Sequence, residues 1–308
     1  MALMRILMVG VLIAGQAGSQ PPDSEIFLAS LSLRDGQVEI GKPINISNSP
    51  GYDNQPSFTP DGAAVLFISV RGNRKPDPAN SAATGSDIYR YDIASARLSQ
   101  VTNTAEAEYS PTVTPDGRHI SVIRVEGDGT QRLWRFTLEG TQPELVLRDV
   151  KPVGYHAWAD ASTLVLFVLG QRGQPATLQV ADARTGRAEI AATGIGRSIQ
   201  RVPRGGISYV ARSAAEGTAT VLTISELDPA TRKTRALVGV PAGATEADTA
   251  WTPDGLLLAT VRGHLFGWRR GEAEMGPVAD LERLGLRSVT RLAVSPNGDR
   301  IALVAARP

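Results

Sequence analysis

Short apolar runs recur along the chain, and each follows a tight turn. The turn is written SFTPDG at residues 57–62, and TVTPDG, AWTPDG and AVSPNG are later versions of it. In such a turn Pro sets φ, Asp bonds its own backbone two residues on, and Gly accepts a positive φ. The runs that follow, such as AAVLFISV and RIALVA, are short and often β-branched. This pattern predicts strands that are buried on both faces.

Alignment on the proline of the turn divides the chain into six copies. The aligned positions are Pro60, Pro115, Asp160, Pro203, Pro253 and Pro296. Each copy has a short strand before the turn and an apolar strand after it, and a second hairpin follows in every copy but the last. Four strands in a unit of roughly 40 to 50 residues is the pattern of a propeller blade.

The two ends of the chain complete the count. The sixth copy supplies only two strands before Pro308, and the segments EIFLASLSL and QVEIGKPINIS near the N-terminus supply two more. We therefore predict an all-β, six-bladed propeller with four antiparallel strands per blade, in one domain from residue 21 to residue 308. Pairing the two ends in the sixth blade closes the ring and leaves no long open edge.

The first twenty residues differ from the rest of the chain. Arg5 precedes the apolar run Ile6–Gly15, and small residues follow. This layout predicts a secretory signal peptide over residues 1–20, because the run is too short for a membrane span. The alternatives are a buried N-terminal strand or an uncleaved anchor. We expect a periplasmic or secreted protein with no membrane span once the signal is removed.

Composition limits the chemistry. The 32 basic and 31 acidic residues nearly cancel, so no basic footprint for nucleic acid is present. The chain has no cysteine, which excludes disulfides and thiolate catalysis. His119, His156 and His264 have no metal-ligand spacing, and no phosphate-binding loop occurs. We expect no metal and no cofactor.

The repeats resemble those of TolB-like propellers. DNQPSFTPDGAAVLFIS and EYSPTVTPDGRHISVIRV resemble the WD40-like (PD40) pattern: an acidic residue, two variable residues, Pro, one variable residue, an aromatic residue, Ser or Thr, Pro-Asp-Gly and then an apolar strand. The family includes a periplasmic Tol component that contacts a peptidoglycan-associated lipoprotein. That component carries an α/β domain before its propeller, which we do not expect here, so its role is not carried over. Related repeats also occur in prolyl-oligopeptidase-type peptidases, but their G-x-S-x-G elbow is absent.

The segments that lead into the six first strands gather at one mouth of such a ring. Asp53, Glu108 and Glu246 occupy one equivalent repeat position there, and Arg197 and Arg291 lie one and two places further on. A long loop, Val70–Asp87, projects from the same face. These segments and the loop supply the candidate binding residues: Asp53, Glu108, Tyr109, Tyr155, Arg197, Glu246, Asp248, Arg291, Arg71, Arg74 and Lys75. The alternative is that the acidic position only caps the innermost strand.

Three aromatic residues share another repeat position, two before the proline of the turn. They are Phe58, Trp158 and Trp251. We interpret them as packing between neighbouring blades, and the alternative is a set of ligand platforms.

Two functions remain open. The first is an exported, non-catalytic binding or scaffold propeller that recognises a protein, peptide or envelope ligand at the mouth. The alternative is a hydrolase or lyase acting on a sugar or peptide, with Asp53, Glu108 and Glu246 as acid/base candidates. Catalysis would require close carboxylates without countercharges, and arginines beside all three would count against it.

Overall fold

The computed structural model describes residues 22–34, 37–72, 76–77, 80–214 and 220–307. Within these ranges the chain forms six antiparallel sheets of at least four strands each, arranged as blades, and very little helix. The predicted all-β six-bladed propeller is therefore confirmed. The predicted signal peptide lies outside the described residues.

The sixth blade joins the two ends of the chain, as the repeat count predicts. Its second strand from the axis belongs to the C-terminal pair, and its third strand belongs to the N-terminal segment, with Ile26 opposite Val304 and Ser30 opposite Arg300. A short strand pairs beside them. From the axis outward the strands are β26 (Arg291–Val294), β27 (Arg300–Ala306), β1 (Ser24–Arg34) and β2 (Gln37–Ile40), with β3 (Ile44–Asn45) also on β1.

The other five blades each follow chain order from the axis outward. Blade 1 consists of β4 (Asp53–Phe58), β5 (Ala64–Ser69), β8 (Asp87–Asp92) and β9 (Arg97–Gln100). Blade 2 consists of β10 (Ala107–Val113), β11 (His119–Val125), β12 (Gln131–Thr137) and β13 (Glu144–Leu145). Blade 3 consists of β14 (Val153–Trp158), β15 (Thr163–Val168), β16 (Thr177–Asp182) and β17 (Ala188–Thr193).

Blade 4 consists of β18 (Ile195–Arg201), β19 (Ile207–Ala214), β20 (Thr220–Leu227) and β21 (Thr234–Gly239). Blade 5 consists of β22 (Asp248–Trp251), β23 (Leu257–Val261), β24 (His264–Trp268) and β25 (Gly276–Asp280), followed by the 3₁₀ turn Glu282–Leu284. The first strands contact one another in sequence around the ring, from β4 through β10, β14, β18 and β22 to β26 and back to β4. They enclose the axis.

The long connection of blade 1 leaves from the face on which the first strands begin, which we call the lead-in face. Ser69 at the end of β5 pairs with Asp53 at the start of β4. The connection contains a two-stranded hairpin, β6 (Pro76–Asp77) and β7 (Asn80–Thr84), where the sequence predicted only a loop. Arg74 and Lys75 lie outside the described residues.

The repeated turns are held by their threonine as well as by their Asp and Gly. In blade 1, Asp61 accepts a hydrogen bond from the Ala63 amide at 3.0 Å, as the sequence predicted, and Gly62 has φ +70°. The Thr59 hydroxyl donates to Asp61 at 2.6 Å and accepts from the Ala64 amide at 3.0 Å. Thr114 and Thr252 form the same arrangement in blades 2 and 5. We call this side of the ring the turn face.

The aromatic repeat position packs between blades, as interpreted from the sequence. Trp158 of blade 3 lies in a core cluster with Ile123 and Leu133 of blade 2. Trp251 of blade 5 packs likewise against Val202 of blade 4. Both indoles are less than one-tenth exposed. This packing joins neighbouring blades.

Candidate functional site

A cavity of about 510 Å³ occupies the axis and is lined by all six first strands. One repeat position contributes a residue from every blade, five places before the proline position of the turn, and we call it the axial position. Its residues are Gln55, Ser110, Tyr155, Ser198, Asp248 and Arg291. From this level the cavity reaches the turn face, where Pro60 and Pro115 line it.

Four of the predicted site residues meet at the axis, and we call them the axial cluster: Tyr155, Arg197, Asp248 and Arg291. Arg291 donates from Nη2 to the Tyr155 hydroxyl at 2.6 Å, and its Nη1 lies 3.6 Å from Asp248 Oδ1. Arg197 donates from Nη2 to Asp248 Oδ2 at 2.8 Å. One carboxylate is therefore shared by two guanidinium groups that belong to blades 4 and 6.

The axial cluster carries more positive than negative charge. Its two arginines and one aspartate give a formal charge of +1 when the tyrosines are neutral. Burial lowers the pKa of Arg291, but Tyr155 and Asp248 outweigh it and the net pKa is raised, so this group stays cationic. Burial raises the pKa of the adjacent Tyr52 phenol. Tyr52 therefore remains uncharged at neutral pH.

Among the described residues, one buried donor of the cluster has no hydrogen-bond partner. Arg197 Nε is buried and makes no hydrogen bond within the part of the chain that the structure describes. The Arg197 side chain is 31% exposed overall, whereas that of Arg291 is 12% exposed. Arg197 is thus the more exposed of the two cations.

The polar walls of the cavity bond across blade boundaries. The Ser57 hydroxyl donates to the Pro111 carbonyl at 2.6 Å. Ser198 and Thr249 join their hydroxyls at 3.0 Å. Gln55 Oε1 accepts from the Ser110 amide at 2.5 Å. These hydrogen bonds join neighbouring first strands across the blade boundaries.

A buried histidine, which the sequence did not single out as a site residue, also lines the cavity. His156 Nε2 lies 2.7 Å from the Ser121 hydroxyl, which also accepts from the Trp158 indole and donates to the Thr112 carbonyl at 3.0 Å. Ser121 has one proton, so all these contacts are satisfied together only if His156 donates from Nε2. Burial lowers the pKa of His156 to about 3, so the ring is neutral. Its Nδ1 has no hydrogen-bond partner among the described residues.

Asp53 and Arg71 do not line the cavity but pair inside the lead-in side of blade 1. Asp53 is 1% exposed, and Arg71 Nη2 lies 3.2 Å from its Oδ2 and 2.6 Å from the Ser47 carbonyl. The Arg71 guanidinium also lies over the Tyr89 ring, 5.0 Å from its centroid. Burial raises the pKa of Asp53, partly opposed by hydrogen bonds from Ser69 and by Arg71.

The other acidic candidates also lie beside arginines. Glu108 is fully buried, 3.6 Å from Arg124 Nε, and contacts the hydroxyls of Thr102 and Thr104. Glu246 lies 2.5 Å from Arg212 on the surface. Tyr109 packs half-buried against two hydrophobic clusters, one between blades 1 and 2 and one between blades 2 and 3. The structure therefore does not bring Asp53, Glu108 and Glu246 together.

A second pocket of about 330 Å³ lies on the lead-in face and shares Arg197 and Asp248 with the axial cavity. Its other walls include Gly243, Glu246 and Arg262. Arg262 donates to the Gly243 carbonyl at 2.7 Å. The Arg197–Asp248 pair is thus the partition between the axial cavity and this side pocket.

The described residues offer neither a metal cluster nor a membrane-spanning helix. Within them, no group of three or more His, Asp or Glu side chains is placed to hold a metal ion. No helix in those ranges has the length and apolar composition needed to cross a membrane.

Comparisons with known proteins agree on the architecture. No family model matches the chain. A 115-residue segment, 37% of this chain, is 26% identical to the Tol-Pal system protein TolB of Francisella tularensis subsp. tularensis, and the same holds for subsp. mediasiatica. The match spans 23% of the length of each of these relatives.

Solved structures align over most of the chain. A TolB-type protein of Agrobacterium tumefaciens aligns with TM-score 0.65 at 16% identity, over 94% of this chain and 99% of that one. TolB of Acinetobacter baumannii aligns with TM-score 0.58 at 14% identity, over 91% and 64%. An oligogalacturonate lyase in complex with manganese aligns with TM-score 0.58 at 14% identity, over 86% and 80%. At these identities the likeness shows the fold alone.

Proposed function

We propose that this chain, a TolB-like six-bladed propeller, is an exported, non-catalytic binding protein that takes a segment of a protein or peptide partner into its axial cavity. One observation carries the proposal: all six blades line a cavity of about 510 Å³ that has the axial cluster at one end and the turn face at the other. Its volume lies within the usual range of ligand sites, and convergent polar groups are typical of them.

The contacts of the acidic side chains favour binding over catalysis. General acid and base pairs need two carboxylates near the same substrate with separated pKa values. Asp53, Glu108 and Glu246 instead lie beside Arg71, Arg124 and Arg212 respectively. In the cavity itself, the carboxylate of Asp248 lies between two cations.

The Ser121–His156 pair does not supply a nucleophile. Ser121 is fully buried, and its hydroxyl is occupied by three contacts with the protein. A lyase or hydrolase remains the alternative function, supported by the oligogalacturonate lyase fold alone. Release of unsaturated or shortened products from oligogalacturonate by the purified protein would establish that alternative.

Export is part of the proposal and depends on the N-terminal pattern. We propose that residues 1–20 are a signal peptide and that the propeller occupies residues 21–308 in the periplasm or outside the cell. Fractionation of intact cells, together with the N-terminal mass of the mature protein, tests both statements. A full-length chain retained in the cytoplasm would contradict them.

The binding proposal is tested by filling the cavity without touching the axial cluster. Gln200 lines the cavity, so Gln200→Trp places an indole there. Gln171→Trp is the matched control, because Gln171 is exposed and does not line the cavity. Crosslinking in intact cells followed by affinity capture should lose specific partners with Gln200→Trp and keep them with Gln171→Trp. Capture of the same partners by both folded variants would overturn the proposal.

A further inference from the structure

We infer that the ligand group which reaches the axial cluster is a carboxylate of the partner polypeptide, either an Asp or Glu side chain or the C-terminus. The inference rests on the proposed binding function, and it deepens that function by naming the chemistry at the end of the cavity. The geometry of the arginines carries it.

The axial cluster carries an excess of positive charge. Two guanidinium groups share one carboxylate, which leaves the cluster with a formal charge of +1 in a partly buried site. A charge in such surroundings is costly unless it is paired. A ligand carboxylate would bring the local sum to zero, whereas an ammonium group would add a third cation.

The two arginines of the axial cluster also have N–H donors that the described residues do not use. A guanidinium has five N–H donors. Arg197 directs Nη2 to Asp248, and its buried Nε has no partner among the described residues. Arg291 directs Nη2 to Tyr155, and its Nη1 is 3.6 Å from Asp248, beyond a good hydrogen bond. Carboxylates are the groups that match guanidinium donors most closely in geometry.

The walls of the cavity have fewer free hydrogen-bonding groups than the axial cluster. The hydroxyls of the wall residues already make hydrogen bonds across the blade boundaries. Ser198 and Thr249 bond each other, and Ser57 bonds a backbone carbonyl. Within the described ranges, the buried donor of the cavity that lacks a partner therefore belongs to the cluster and not to the walls. The acceptor His156 Nδ1, also without a partner among the described residues, belongs to a residue lining the same cavity.

A polypeptide supplies a carboxylate and a hydrogen-bond donor together. An Asp or Glu residue, or a C-terminal residue, carries a carboxylate and a backbone N–H within one residue. The access from the turn face, past Pro60 and Pro115, is the route by which an extended segment would enter. A sugar acid carries a carboxylate and hydroxyl donors, and the test below separates it from a peptide.

The test measures binding of matched small probes to the purified mature protein by calorimetry or NMR. Acetyl-Gly-Glu-Gly-amide is compared with acetyl-Gly-Gln-Gly-amide, which has the same shape without the charge, and acetyl-Gly-Gln with a free α-carboxylate represents a C-terminus. Free galacturonate is the sugar-acid arm. We expect a charged peptide to bind about tenfold or more tighter than the neutral one, as for a lost hydrogen bond to a charged group.

Three variants make the role of the cluster specific. Arg197→Gln should weaken binding of the glutamate peptide by roughly 10- to 100-fold, because a charge-assisted hydrogen bond is lost. Asp248→Asn should strengthen it, by about tenfold, because the protein's own carboxylate no longer opposes the incoming one. Arg212→Gln, which removes the same charge from a surface pair outside the cavity, should leave binding unchanged.

Opposite effects of Arg197→Gln and Asp248→Asn on binding of the glutamate peptide would distinguish recognition from a structural role. A purely structural role would make both variants bind the peptide worse. Equal binding of the glutamate and glutamine peptides, or weaker binding by a folded Asp248→Asn variant, would overturn the carboxylate inference. Galacturonate binding tighter than either charged peptide would overturn the polypeptide source. In each case partner capture that remains sensitive to Gln200→Trp would leave the proposed function standing.

Discussion

Trp251 donates its indole N–H to the Ser208 hydroxyl on the neighbouring blade, over 2.9 Å. Trp158 repeats the contact with Ser121 at 3.0 Å. Phe58 occupies the same repeat position in blade 1, and the residue equivalent to Ser208 in its neighbour, blade 6, is Ala302. Where the aromatic side chain has a donor, the facing residue has an acceptor, and where it has none, the facing residue is alanine.

This relationship predicts a non-additive double-mutant cycle. Ser208→Ala should lower the free energy of unfolding by about 1 to 3 kcal/mol, because a buried indole N–H loses its partner. The double variant Ser208→Ala, Trp251→Phe reproduces the Phe58–Ala302 pair and should cost less than the sum of the single changes. Urea unfolding of the four proteins measures the coupling. Strictly additive costs would contradict the proposed pairing.

Arg71→Met should destabilise the fold by about 3 kcal/mol at neutral pH, because it leaves the Asp53 carboxylate buried without a countercharge. Arg90→Met is the control, since the Arg90–Asp92 pair is on the surface and should contribute at most about 1 kcal/mol. Urea unfolding midpoints of the two variants and the wild type measure both effects. Equal losses would show that the Asp53–Arg71 pair behaves as a surface pair.

The Asp53 carboxyl itself should give a pH dependence of known sign. Burial raises its folded-state pKa above 3.8, against hydrogen bonds from Ser69 and the charge of Arg71. Protonation is therefore favoured in the folded state, so the group stabilises the fold below pH 3.8 and loses that contribution as pH rises through its folded pKa. Asp53→Asn should remove this dependence. Parallel stability–pH curves for variant and wild type above pH 3.8 would refute it.

His156 should act in the opposite direction. Its pKa falls from 6.5 to about 3 on burial, so the unfolded chain binds a proton that the folded protein does not. Its contribution is full above pH 6.5 and is lost as pH falls toward 3, at about 1.4 kcal/mol per pH unit. The free energies of unfolding of the wild type and of His156→Gln should therefore converge as the pH falls. Unfolding midpoints at pH 7, 6, 5 and 4 test this, and a constant difference between the two proteins would disprove it.

Gln55 should favour glycine over alanine as a replacement. Its φ is +57°, in the left-handed region, and its side chain accepts a hydrogen bond from Ser110. Both replacements lose that bond, but only glycine adopts the backbone angle without strain, so Gln55→Gly should be more stable than Gln55→Ala by about 1 kcal/mol. At Ser57, two residues on and without a positive φ, the order should reverse. Thermal unfolding of the four variants is sufficient, and the same order at both positions would contradict the strain argument.

The fold could be predicted because each blade repeats its turn and because the strand count closes. Asp61 and Gly62 have roles that the turn letters dictate, and the partial sixth copy requires a strand pair from near the N-terminus. Thr59 was missed, although its hydroxyl bonds both ends of the turn. Its recurrence as Thr114 and Thr252 was the signal.

The candidate site was predictable only in part. The repeat alignment emphasised the position of Asp53, Glu108 and Glu246, whereas the axis is lined two places later. Register shifts in β4 and β10, at the Gln-Pro and Ser-Pro steps, change which residues face the channel, and no alignment of letters shows them. The prolines at 56 and 111 within strands were the available sign of such bulges. Tyr155, Arg197, Asp248 and Arg291 were identified, but Tyr52 and His156 were not.

The joined sixth blade also has a kinetic consequence. Ser30 pairs with Arg300, 270 positions further along, so the strands that lock the ring are synthesised far apart in time. Contacts of such large sequence separation form slowly, because a long loop must close, at a cost in entropy, before these contacts can stabilise the fold. Until residues 300–306 arrive, β1 is an unpaired apolar edge that can aggregate. A chain crossing a membrane N-terminus first would therefore expose this edge of β1 until residues 300–306 had also crossed.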